Sequence, residues 1–157
     1  MANNLFPVGY ENEVIEAADL EESKPTGYRN GVSFDEQVGD IRRDGKNRIL
    51  DSTGIESWKS WVMNCLYTER YKHLAYSTDF GIELDAVFAA TSREEAESIL
   101  TRQITEAIMA DPYARTEYIE EIEFNWTAAD AVEVRLKIHG IEGVSIDILA
   151  YITKEAA

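Results

Sequence analysis

The 157-residue chain has one cysteine, Cys65, two histidines, His73 and His139, and three prolines, and each scarcity removes a class of answer. A single cysteine permits no internal disulfide, and with only two separated histidines there is no Cys/His spacing of the kind that holds a metal. Bases are outnumbered two to one, 15 Lys and Arg against 30 Asp and Glu, for a formal charge of −15. Polyanions and anionic bilayers bind clustered bases that release counterions, so this balance argues against nucleic acid and membrane as partners. Long apolar runs are also lacking, and the opening Met1-Ala2-Asn3-Asn4 does not have the basic-then-apolar order of a secretory leader. The chain therefore reads as soluble and intracellular. No Gly-rich phosphate loop, H-E-x-x-H or G-x-S-x-G occurs, and no cofactor is expected.

What is present is unevenly distributed. Residues 1–40 hold nine acids and two bases. Within residues 1–31, Pro7, Gly9, Pro25, Gly27 and Gly31 interrupt any regular element, which predicts an extended acidic arm. Val14, Ile15, Ala18 and Leu20 stand in partial helical register inside Glu11–Glu22, enough for a short helix formed on contact. Residues 32–157 make the single domain.

In that domain Val32-Ser33-Phe34 alternates briefly, and Asp44-Gly45 between Arg43 and Lys46 predicts a small polar hairpin, with Gly45 supplying the positive φ of a tight turn. Ser52 and Thr53 are candidate N-caps for a helix over 54–66, whose Ile55, Trp58, Val62, Cys65 and Leu66 share one inward face. A second helix spans about 92–110. Ser92 and Glu95 have the spacing of a capping box, Ala96, Ile99, Leu100, Ile104, Ala107 and Ile108 form the apolar stripe, and Pro112 follows the end. The period then changes from 3.6 to 2. Ile122, Phe124 and Trp126, then Val132, Val134, Leu136 and Ile138, then Val144, Ile146, Ile148, Ala150 and Ile152 alternate with polar residues, which predicts three antiparallel strands. The fold class is α+β, a C-terminal β-meander packed on one face by helices, with an N-terminal arm and a small hairpin.

Catalytic candidates are few. Glu69 and Asp79 flank a polar-aromatic segment and admit one sharp alternative, a glycan-cleaving, lysozyme-like enzyme with two carboxylates as acid and base. With 30 acids in the chain, such a pair arises by chance, and pairing of either acid with Arg70 or capping of a turn is the better account of it. Cys65 falls on an apolar face, as a small buried hydrophobe does. Trp58, Trp61, Tyr67, Tyr71, Tyr76, Phe80 and Phe88 lie close together in sequence, and aromatics anchor interfaces as well as cores. The last strand leaves a sheet edge that can take a partner strand. These features favour an interaction protein over an enzyme.

Gly54-Ile55-Glu56-Ser57-Trp58-Lys59-Ser60-Trp61, then Leu66-Tyr67-Thr68-Glu69-Arg70-Tyr71, then Tyr76-Ser77-Thr78-Asp79-Phe80-Gly81-Ile82-Glu83-Leu84 resembles the XkdS-like branch of the baseplate wedge proteins of contractile phage tails and tail-like bacteriocins. The similarity spans about residues 32–152 in the same order of elements. It implies a structural, non-enzymatic sheath initiator that links the wedge core to the first sheath ring, present in several copies in a symmetric ring. Implied partners are other baseplate wedge proteins and tail sheath subunits, met by strand addition and arm docking. Assembly is implied in the bacterial host cytoplasm, before the protein becomes part of the tail or tail-like particle. The superfamily's loop after the long helix carries Glu-Pro-Arg; here it reads Asp111-Pro112-Tyr113, with Arg115 as the stand-in for the missing arginine. The resemblance thus implies partner-binding at Asp111, Pro112, Tyr113 and Arg115, and at Glu69-Arg70-Tyr71 and Asp79-Phe80-Gly81. On that reading, removing Asp111 and Pro112 blocks docking and leaves the melting temperature of the isolated protein unchanged.

Overall fold

A computed structural model describes residues 26–35 and 38–154. Most of the expected arm, residues 1–25, lies outside the described residues, including the acidic stretch Glu11–Glu22. Four two-residue strands come first: β1 (Gly31–Val32), β2 (Phe34–Asp35), β3 (Asp40–Ile41) and β4 (Asp51–Ser52). β1 pairs with β4 and β2 with β3, both antiparallel. The turn at Asp44 forms as expected, but its positive φ of 62° is at Asn47, not Gly45. The Asp44 carboxylate accepts the N–H groups of Lys46 and Arg48 at 2.8 and 2.9 Å, so five residues separate the facing pair Arg43 and Ile49. In that longer loop the left-handed position falls later, on an asparagine, which tolerates it.

Helix α1 (Gly54–Tyr67) starts at Thr53, whose hydroxyl accepts the Glu56 N–H while the Glu56 carboxylate accepts the Thr53 N–H at 2.8 Å. Such a reciprocal cap is worth about 1 kcal/mol. Ser52, the other candidate cap, instead meets the Ser57 hydroxyl at 2.6 Å. Trp58, Val62, Cys65 and Leu66 are buried. Ile55 is not: it is 43% exposed. At that end of the helix the neighbour is Tyr28, whose ring packs on Trp58 and whose backbone carbonyl and Cβ lie so close to Gly54 that a Cβ there would come within 2.7 Å of them. Residues 27–31, placed in the arm on composition, thus lie against the domain.

Helix α2 (Leu84–Phe88) was not evident from periodicity; helix α3 (Arg93–Met109) was. Ser92 accepts the Glu95 N–H at 3.1 Å, but the Glu95 carboxylate reaches past it to the N–H and hydroxyl of Thr91, so only half of the capping box forms. Ala96, Leu100, Ile104, Ala107 and Ile108 are buried. Gln103 is buried with them and accepts the Glu83 N–H at 2.6 Å, which ties the start of α2 to α3.

Strands β5 (Thr116–Ala128), β6 (Ala131–Gly140) and β7 (Ser145–Thr153) form the antiparallel meander, in that order. β5 begins several residues before its clear alternation and carries three register irregularities; β6 and β7 pair without one. Val132, Val134, Leu136 and Ile138 of β6 and Ile146, Ile148, Ala150 and Ile152 of β7 are buried in the same core cluster as the helix residues. Both α1 and α3 contact the sheet. The opposite face carries Glu123, Arg135, Lys137 and Asp147. The architecture is α+β.

Candidate functional site

Two loops hold the residues singled out by sequence. The first runs from Thr68 to Ile82 and is closed at its base: the Arg70 N–H donates to the Ile82 carbonyl at 2.9 Å and the Ile82 N–H to the Thr68 carbonyl at 3.0 Å. Gly81 makes this closure possible. Its φ is +91°, and an added Cβ would sit 2.5 Å from the Thr68 carbonyl oxygen, so only glycine fits without a shift. Arg70 turns inward; its Nε donates to the Gly81 carbonyl at 3.0 Å and Nη1 lies 3.7 Å from Glu106 of α3. Phe80 stacks on Tyr76, with centroids 4.6 Å apart, and meets Trp61 edge-on. Tyr71 is exposed, in the left-handed region at φ 69°.

The second loop is built around a buried ion pair. Arg115 donates from Nε to Asp111 Oδ2 at 2.8 Å and from Nη2 to Oδ1 at 2.9 Å. The same carboxylate accepts the N–H groups of Tyr113 and Arg115. The two side chains are 1% and 4% exposed. The guanidinium also lies over the Trp61 and Tyr113 rings, and Arg29 covers Tyr113 from elsewhere. Asp111 and Arg115 therefore shape the loop from inside, leaving Pro112 exposed and Tyr113 half-buried. This geometry leads to the opposite expectation for the melting temperature without Asp111, because a buried arginine would be left unpaired.

Two clefts collect the remaining residues. One, of about 290 Å³, is lined by Trp61, Tyr76, Asp79, Phe80 and Pro112, so it joins the two loops on one surface. The other, of about 580 Å³, lies beside the end of β7 and is lined by Tyr67, Glu69, Lys72, His73 and Tyr151. Glu69 and Asp79 thus face different clefts. Glu69 is held by Lys72 at 2.8 Å, and its hydrogen bond raises that ammonium's pKa above the usual lysine value. Glycoside cleavage needs both carboxyls across one sugar, about 5–9.5 Å apart in one cleft, and gains no support here. Among the described residues no three His, Cys, Asp or Glu side chains gather as metal ligands would, and no helix is long and apolar enough to cross a membrane.

Sequence reasoning placed Tyr67 among the clustered aromatics but not at the sheet edge. Its hydroxyl accepts the Tyr151 N–H at 3.3 Å, from the outer side of β7. On the inner side the Lys154 N–H donates to Asp130 at 2.8 Å. Antiparallel backbone groups alternate between partner and outside, so Ser145, Asp147 and Leu149, in phase with Tyr151, turn their N–H and C=O groups outward. This edge is regular, whereas irregularities interrupt β5, as they do where an edge is guarded against pairing. A family model described as contractile injection system sheath initiator matches residues 31–143. No curated protein matches the chain.

Proposed function

The chain belongs to the contractile injection system sheath initiator family, a structural component of the injection particle, and from that premise we propose that it joins the baseplate wedge core to the first ring of sheath. The observation that carries this reading is the outward-facing, regular edge of β7. A strand added there gains main-chain hydrogen bonds that depend little on partner sequence, which suits a subunit that must start a polymer of another protein. The cleft joining Asp79, Phe80 and Pro112 is the surface we assign to wedge proteins, with Tyr113 on its loop. Asp111, Arg115, Arg70 and Gly81 act behind it by holding the two loops in shape, and Glu69 borders the cleft at the end of β7. The role is non-catalytic. Assembly takes place in the host cytoplasm, in several copies around a symmetric ring, and many such contacts acting together offset modest single-site affinity.

The test uses the alternation of β7. Proline at Leu149 removes an outward N–H and no bond to β6; proline at Ile148 breaks the internal ladder. Leu149→Pro is expected to keep a cooperatively folded protein and to yield baseplates without sheath, while Ile148→Pro fails to fold. Normally sheathed particles from Leu149→Pro would remove β7 as the sheath-facing edge.

A further inference from the structure

Against a charge of −15, residues 42–48 stand out: Arg42, Arg43, Lys46 and Arg48 place four of the chain's 15 bases within seven residues. They lie on the loop between β3 and β4. Arg42 is paired with Asp35 and Arg48 with Asp44, whereas exposed Arg43 and Lys46 have no ion-pair partner among the described residues. Apolar groups are presented beside these bases: Val38, Ile49 and Leu50 are 76%, 49% and 41% exposed. A groove of about 320 Å³ at the foot of this loop is lined by Phe34, Arg42 and Lys59 and also by the acids Asp35 and Glu56, so the excess of positive charge lies on the loop itself, at Arg43 and Lys46. A surface that is both cationic and apolar fits a segment that is both anionic and apolar.

The chain contains such a segment. Residues 11–22 hold six acids and no base, with Val14, Ile15, Ala18 and Leu20 among them. We propose that the surface formed by residues 38–50 receives residues 11–22 of a second copy of this chain. The proposal rests on the ring reading above. Identical copies carrying −15 each repel at long range, so neighbours in a ring need a junction of opposite charge, and this pairing supplies one. The contact joins two different surfaces, as a cyclic ring requires. Direction favours a neighbour over the same chain. Residues 27–32 run from Tyr113, where the Gly27 N–H donates at 3.2 Å, to Asp51, which faces Val32 at the root of the basic loop. The described chain therefore begins at the opposite end, at Thr26. Ten residues span up to about 33–36 Å, enough to leave the molecule's own surface.

The experiment uses the full chain, mixed in equal parts from unlabelled and nitrogen-15-labelled preparations and coupled with a carbodiimide that joins amines to carboxylates. Peptides linking Lys46 or Lys59 to a carboxylate of residues 11–22 and carrying both isotopes are expected at low salt. Their yield should fall about tenfold near 1 M salt, where the screening length is ~3 Å. Arg43→Glu should cut the yield by a similar factor at unchanged melting temperature, and Arg43→Lys should retain it. Links of a single isotope type would place the segment on its own chain and overturn the proposal, as would no link into residues 11–22. Either result with wild-type protein still incorporated into particles leaves the baseplate role standing; absence of wild-type protein from particles would be the failure of that role.

Discussion

Replacing Asp111 by alanine removes one carboxylate that accepts four hydrogen bonds, two from the Arg115 guanidinium and two from the backbone at Tyr113 and Arg115. The guanidinium cannot escape to water, since Arg115 is 4% exposed at its side chain and lies over Trp61 and Tyr113. Breaking a buried pair by deleting one partner costs about 3–5 kcal/mol. For a domain of this size each kcal/mol shifts the melting temperature by roughly 2–4 °C, so Asp111→Ala should melt roughly 6–20 °C lower. The cost comes from the charge left behind, and the double variant Asp111→Ala, Arg115→Met should recover a large part of it, because an apolar pair needs no partner. Calorimetry on the wild type, both single variants and the double variant forms a cycle that isolates the coupling. A melting temperature for Asp111→Ala within a degree of wild type, or a double variant as unstable as the sum of the singles, would refute the argument that this pair holds the loop.

Burial pushes the Cys65 thiol up to about 11, so at pH 8 the folded protein should react with a disulfide reagent only as fast as it opens, and denaturant should accelerate the reaction. Immediate stoichiometric labelling would contradict the burial. On the polar sheet face, the hydrogen bond between Glu120 and His139 at 2.5 Å, together with Lys137, holds the Glu120 carboxyl below its usual value. Its contribution to stability is therefore present above the carboxylate's ordinary pKa and is lost as pH falls through the depressed one. Carboxyl NMR should find Glu120 titrating low in the wild type and at a higher pH in His139→Ala; equal values in both would exclude that hydrogen bond as the cause.

Elements with a local cause were legible in the sequence. Thr53 and Ser92 announce helix starts because a cap needs only its own next three residues, and the three strands show because alternation is a property of consecutive side chains. Capping details already escaped: Glu95 reaches Thr91, not Ser92, because one more rotatable bond gives it a choice of donors that spacing alone does not rank. Helix α2 has too few residues for a period, and its start is tied down by Gln103, twenty residues away. The site residues followed the same division. Asp79, Phe80 and Pro112 do line one surface, but Arg70, Asp111 and Arg115 turned out to support it from inside.

By itself, then, the sequence determined what is additive along a chain: the charge of −15 and its partition, the absence of metal-ligand and nucleophile motifs, and the order of helices and strands. Tertiary structure decided which charges are spent. Arg115 meets Asp111 and Glu69 meets Lys72, whereas Arg43 and Lys46 face outward without a partner among the described residues. It also decided which sheet edge is regular, since that depends on register between strands, and which tyrosine reaches it. Burial and pairing are properties of neighbours in space, and the Tyr67 hydroxyl and the Tyr151 N–H become neighbours only when α1 lies against β7.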